Sequence, residues 1–241
     1  MADHVFLVFT NPTEGLEDEY NDWYTNLHLD EVTAIPGFGS VRRYALCESQ
    51  LDGFDKPKHR YLAMYEISGD PGNAFAAMQD ALESSRMQLP ESLSTTDLVP
   101  LCFTPITDWV RSKTQTGNSD HTFFVLTNPT TGLEDEYNDW YTNVHLDEVT
   151  SVKGFISARR YGLSDSQLAG FGESEHRYLA VYEISGDPSD AFADMTAALE
   201  DGRIQLVESL SISDLSPLCF TPITGWVGMR SETLVGGAVP G

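Results

Sequence analysis

The residues Tyr20 to Val32 read YNDWYTNLHLDEV, and Tyr137 to Val149 read YNDWYTNVHLDEV. On a helix, Tyr24, His28 and Glu31 fall at i, i+4 and i+7, along one stripe. His28 then has a phenol one turn before it and a carboxylate one turn after it. That spacing suits general acid–base chemistry, with Glu31 orienting or charging the imidazole and Tyr24 donating a proton or holding an oxyanion. Trp23 and Leu27 share the neighbouring apolar side. Tyr141, His145, Glu148 and Trp140 repeat the pattern. A structural reading of the same spacing pairs the residues for helix stability alone.

Other side chains could complete such a site. His4 and His121 stand at the start of a strand, and His59 and His176 open another beside an arginine and a tyrosine. Tyr44 and Tyr65, with Tyr161 and Tyr182, are candidates for a pocket wall. Arg42 or Arg43, and Arg159 in the second copy, would supply a cation for a carbonyl or phenolate oxygen. His28 and Glu31 at i, i+3 could offer two metal ligands, yet no zinc-type spacing occurs. Cys47, Cys102 and Cys219 have no close-spaced partner and read as buried free thiols. Neither a glycine-rich dinucleotide loop nor a phosphate loop is present. The expectation is a site with no cofactor and no metal. Haem stays open, because a haem histidine has no short motif.

The elements that must position these residues occur twice. His4 to Val110 aligns with His121 to Val227 without a gap, and about 75 of about 107 positions are identical. The boundaries expected are residues 1–110 for the first repeat, 111–120 for a polar linker, 121–227 for the second repeat and 228–241 for a loose tail. Within one repeat, Val5 to Thr10 reads as a strand and Leu16 to Ile35 as a helix with Glu17, Asp18 and Glu19 at its start. Pro36-Gly37 ends it. Phe38 to Cys47 and Arg60 to Ile67 read as strands. Asp70 and Pro71 open a second helix as N-cap and first residue, running to about Gln88, and Pro100 to Val110 forms a last strand. The order β-α-β-β-α-β is the ferredoxin-like arrangement. It leaves one sheet face bare, and two repeats packed sheet to sheet would cover it.

Divergence between the repeats indicates which faces pack. Leu7 and Phe9 become Phe124 and Leu126, an exchange that keeps volume. This places Val5, Leu7 and Phe9 against the helices and His4, Phe6, Val8 and Thr10 toward the barrel. By the same argument Ser40, Arg42 and Tyr44 line the space between the sheets. All 6 His, 10 Tyr and 4 Trp have a match in the other repeat, as does every arginine within the repeats, whereas Lys56, Lys58 and Lys153 do not. Arginines kept against drifting lysines suggest placed guanidiniums.

The motif W-Y-x-x-x-H-x-x-E-V, followed by P-G-F and R-R-Y, resembles the EthD-like branch of the dimeric α/β-barrel superfamily, here as a fused tandem. The resemblance implies an α+β fold in which two repeats form an intrachain barrel. It also implies a chemistry drawn from isomerases, cyclases, cofactor-free monooxygenases, haem enzymes and dehydratases. Some cyclase-like members place a functional histidine where His4 stands.

A net charge of -23 repels nucleic acid and anionic membranes. The start has no signal-peptide character and no apolar run spans a bilayer, so a cytoplasmic protein is expected. These observations lead to a cofactor-independent enzyme, monomer or homodimer, acting on a small aromatic or polycyclic molecule by isomerase, cyclase or lyase chemistry. A cofactor-free or haem-dependent oxygenase and a non-catalytic binding or stress-response module are the alternatives.

Overall fold

The computed structural model describes residues 3–228. The first half runs β1 (His4–Thr10), α1 (Glu17–Trp23), a π-helical turn (Tyr24–His28), α2 (Leu29–Thr33), β2 (Phe38–Leu46), β3 (Tyr61–Ile67), α3 (Pro71–Glu83), β4 (Val99–Pro105) and the short β5 (Val110–Arg111). The second half runs β6 (His121–Thr127), α4 (Glu134–Trp140), a π turn (Tyr141–His145), α5 (Leu146–Ser151), β7 (Phe155–Leu163), β8 (Tyr178–Ile184), α6 (Pro188–Glu200), β9 (Ser216–Pro222) and β10 (Val227–Gly228). Asp70 and Asp187 cap α3 and α6, as the sequence predicts. The predicted run of α3 to about Gln88 stops at Glu83, because Ser85 takes a left-handed φ of 58°.

Each half pairs its long strands antiparallel in the order β2-β3-β1-β4 or β7-β8-β6-β9. The halves join edge to edge. β4 pairs with β7 and β9 pairs with β2, so the sheet closes into a barrel with the helices outside. Closure removes the exposed strand edges. β5 adds to β7 and β10 to β2, so each half ends on a strand of the other. The loose tail expected over 228–241 is corrected at Gly228, which pairs with Ser40; the rest of that segment lies outside the described residues. Among the described residues, no helix is long and apolar enough to cross a membrane.

The barrel interior is filled. Val5, Leu7, Phe9, Tyr44, Leu62 and Met64 meet Phe124, Leu126, Tyr161 and Val181 in one core. This corrects the first-strand assignment: Val5, Leu7 and Phe9 point into the barrel, while Phe6 and Val8 pack under the helices. The Leu–Phe exchange signals dense packing, and both faces of this sheet are densely packed, so it cannot tell one from the other. The second-strand assignment places Tyr44 toward the barrel, where it lies, with Arg42 over its ring.

Gly37 and Gly154 set the distance between the first helix and the second. Both have φ of 96°, and a Cβ there would sit 2.7 Å from the Cβ of Ala74 or Ala191. Gly37→Ala should therefore destabilise the fold by about 1–3 kcal/mol, read as a lower urea midpoint.

Candidate active site

The helix that carries the YNDWYTN segment is not uniform. Its middle turn is π-helical in both halves, an i→i+5 insertion often found where a helix serves a function. The extra residue keeps Tyr20, Tyr24, His28, Leu29 and Val32 facing the sheet. It turns Leu27 and Val144 out to 51% and 44% exposure, which corrects the expectation that Leu27 sits beside Trp23 on an apolar stripe. Trp23 instead stacks on His28 at the i, i+5 spacing of the π turn, with ring centroids 4.4 Å apart and planes 28° apart.

His28 is 8% exposed and lies between two rings, since Tyr24 meets it edge-on at 4.9 Å. Its Nδ1 stands 3.6 Å from Glu31 Oε2, and both atoms are buried with no hydrogen-bond partner. His145 and Glu148 repeat this separation of 3.6 Å, again with neither atom hydrogen-bonded to any other group. The gap is too long for a hydrogen bond. Two buried polar atoms that face each other beyond hydrogen-bond distance, with no other partner, thus occur in both halves.

Deeper in the layer, the Tyr24 and Tyr65 hydroxyls are 3.0 Å apart, as are those of Tyr141 and Tyr182. Beneath them lies Arg43, only 1% exposed. Its guanidinium donates to Thr25 Oγ1 at 2.6 Å and to Asn21 Oδ1 at 2.9 Å, and sits 4.4 Å from the Tyr24 ring centroid. Arg160 repeats these contacts with Thr142, Asn138 and Tyr141.

The charges follow from burial. Desolvation, helped by the Arg43 charge, lowers the His28 pKa to about 3, so its imidazole is neutral near pH 7. Burial and Arg160 lower that of His145, with Glu148 opposing. Burial raises the Glu31 pKa. Tyr24 and Tyr65 are both raised by burial and stay protonated. A histidine whose folded pKa is depressed contributes stability at neutral pH that is lost as pH falls below the unfolded value. Between pH 7 and pH 4.5 the chain should lose about 2–3 kcal/mol more stability than its His28→Gln variant. Urea unfolding at the two pH values checks this.

The fold thus brings together Trp23, Tyr24, His28, Glu31 and Tyr65, and likewise Trp140, Tyr141, His145, Glu148 and Tyr182. It separates the others. His4 lies on the helix side of β1, its Nδ1 2.9 Å from Thr104 Oγ1, and not toward the barrel; His121 and Thr221 match it. His59 and His176 engage the carbonyls of Asp97 and Asp214 and fasten loops. Arg42 and Arg159 each donate from Nε to a loop carbonyl, of Thr224 and Thr107, and stand over Tyr44 and Tyr161 in the barrel layer. These placements correct their assignment to the same pocket. The cation beside His28 is Arg43, one residue along β2 and therefore on the opposite face of the strand. Strand parity was the signal: Arg42 shares a face with Tyr44, and Arg43 does not.

A cleft of about 970 Å³ lies elsewhere, between the loop after β2 and helix α6, lined by Cys47, Gln50, Phe54, Arg60 and Phe192. No histidine lines it, and neither His28 nor His145 borders a second cleft near Pro129. Each of these imidazoles is stacked on a tryptophan and met edge-on by a tyrosine, with its Nδ1 turned to the glutamate.

The sequence matches no family model and no curated protein. Solved structures do match. An anthrone oxidase-like protein superposes with TM-score 0.61 at 15% identity, over 98% of this chain and 96% of that one. A protein of Fusobacterium nucleatum provisionally described as a monooxygenase gives 0.53 at 10% identity, over 92% and 94%. A mutant chlorite dismutase from Candidatus Nitrospira defluvii gives 0.52 at 9%, over 92% and 91%. At such identities the likeness establishes the fold, an α+β barrel of the ferredoxin-like kind.

Proposed function

We propose that each half holds a cofactor-free acid–base site for a small, flat, hydroxylated aromatic molecule. The observation that carries this is the unpartnered pair of His28 Nδ1 and Glu31 Oε2, 3.6 Å apart and repeated in His145 and Glu148. Both facing atoms are closed to solvent, so a substrate enters when the Glu31 side chain, partly exposed at the helix surface beside Leu27, swings aside. Trp23 offers the substrate a ring to stack on.

In this reading the roles differ from those of the bare motif. Glu31, with its raised pKa, is the stronger base and takes the proton. Neutral His28, in its Nδ1–H tautomer, donates to the oxygen on which charge develops. Tyr24 stays protonated and holds the imidazole edge-on. From the resulting anion, return of the proton elsewhere gives isomerisation or cyclisation, and loss of a group gives a lyase.

A second reading has a specific support, since two fold neighbours are described as an anthrone oxidase-like protein and a monooxygenase. In that reading the anion reduces dioxygen. A ring methylene becomes a carbonyl with one oxygen atom, and the other leaves as water.

The test is turnover of anthrones and naphthols in air-saturated and oxygen-free buffer, with the His28→Gln/His145→Gln chain as control. Turnover without oxygen supports the isomerase or lyase reading, and turnover only with oxygen supports the oxygenase. Binding without turnover, weakened in the control, would leave a binding module and overturn the enzyme.

A further inference from the structure

The β2–β9 junction between the halves carries a cluster that the acid–base site does not use. The register Ala45↔Thr221 and Leu46↔Phe220 brings the next residue, Cys47, opposite Cys219, and the Cys47 amide donates to the Cys219 carbonyl at 3.0 Å. Across the other edge of β9, Thr122 pairs with Phe220, so His121 comes opposite Thr221. A ligand atom from each of Cys47, His121 and Cys219 lies within 4.8 Å of the other two. Residues far apart in the chain, none of them close-spaced, are collected by strand register alone.

We propose that Cys47, Cys219 and His121 form a site for one divalent cation of zinc type. Zinc bonded to sulfur at about 2.3 Å and to nitrogen at about 2.0 Å sets its ligand atoms about 3.5–3.8 Å apart, so the cluster needs to contract by only about 1 Å. Two thiolates and a neutral imidazole around a divalent ion sum to zero charge. That suits a place where Cys219 is fully buried, whereas a monovalent soft ion would leave a buried negative charge.

The surroundings are those of a supported ligand set. Thr221 Oγ1 engages His121 Nδ1 at 2.9 Å, leaving Nε2 for the ion and fixing the ring. The Gln50 amide ties both cysteine backbones: Nε2 donates to Cys47 O at 2.7 Å and Cys219 O at 2.8 Å, and Oε1 accepts from Cys219 N at 2.9 Å. Cys47 also lines the 970 Å³ cleft, which gives an ion a way in.

The second junction is a built-in control. There Gln167 makes the same three bonds and His4 meets Thr104 at 2.9 Å, but Ser164 stands where Cys47 does, opposite Cys102. A chain with two otherwise equivalent junctions should therefore bind one ion, not two.

The experiment strips the full chain with a chelator under reductant and titrates it with Co(II), then Zn(II). One equivalent per chain should bind with thiolate-to-cobalt absorption, and zinc should displace it. Cys47→Ser should weaken binding at least about 100-fold while leaving the chain folded, because Ser164 already occupies that place in the other junction. Ser164→Cys should add a second equivalent. Absence of thiolate-to-cobalt absorption, equal binding by Cys47→Ser, or a Cys47–Cys219 disulfide that persists under reductant would each overturn the site.

Discussion

Replacing Glu31 and Glu148 together by glutamine should lower kcat about 10³-fold on any substrate the chain turns over. General base catalysis by a placed side chain contributes about 10²–10⁴-fold, and these carboxylates are the proton acceptors proposed for each half. His28→Gln/His145→Gln should cost less, about 10²-fold, since it removes a hydrogen-bond donor to the developing oxyanion and leaves the base in place. Changing one half alone should leave about half of kcat with KM unchanged, because each half has its own pair. Steady-state kinetics of the two double and four single variants check the pattern. The pH profile adds a separate sign. Activity should rise with pH through the raised Glu31 pKa and lose that limb in the glutamine variant. Protonation of His28, displaced down to about 3, should not shape the neutral range.

Arg43→Ala should be the most destabilising single change, at about 3–5 kcal/mol. The guanidinium is 1% exposed and fills a space among the rings of Tyr20, Tyr24 and Tyr61, 5.3, 4.4 and 5.5 Å from their centroids. Its removal leaves a void and strands the acceptors on Asn21 and Thr25, each costing about 1–3 kcal/mol. Cation–π attraction adds about 0.5–2 kcal/mol. Arg43→Lys should recover less than half, since an ammonium cannot serve both acceptors in the fork geometry. Urea unfolding of both variants measures the difference. A loss under about 1 kcal/mol for Arg43→Ala would mean the rings, not the cation, hold this layer.

The sequence carried the architecture because its signals were local and came twice. Asp70-Pro71 marks a helix start and Pro36-Gly37 a helix end by their own chemistry, and the gapless repeat implied paired halves. The grouping of Tyr24, His28 and Glu31 was legible because helical spacing is short-range. Three things were not. The π turn needs one extra residue in a turn, which no residue type announces, so Leu27 was set on the wrong side. The faces of β1 could not be told apart, since Phe6 packs under helices and Leu7 inside a barrel, and both environments are apolar. That error carried His4 with it. The Cys47–His121–Cys219 cluster depends on the β2–β9 register between halves, a contact 169 or more residues long in the chain that spacing rules do not reach.

The central claim is that a buried, unpartnered carboxylate–imidazole pair in each half removes a proton from a bound hydroxyaromatic molecule. Its most direct test is solvent deuterium exchange in D2O without oxygen, following by NMR the acidic methylene of the anthrones and the ring C–H beside the hydroxyl of the naphthols, which exchanges through the keto tautomer. The account predicts exchange well above buffer with the native chain, about half with either single glutamine variant of Glu31 or Glu148, and buffer-level exchange with the double variant. Equal exchange by the native chain and the double variant, on substrates shown to bind, would contradict it.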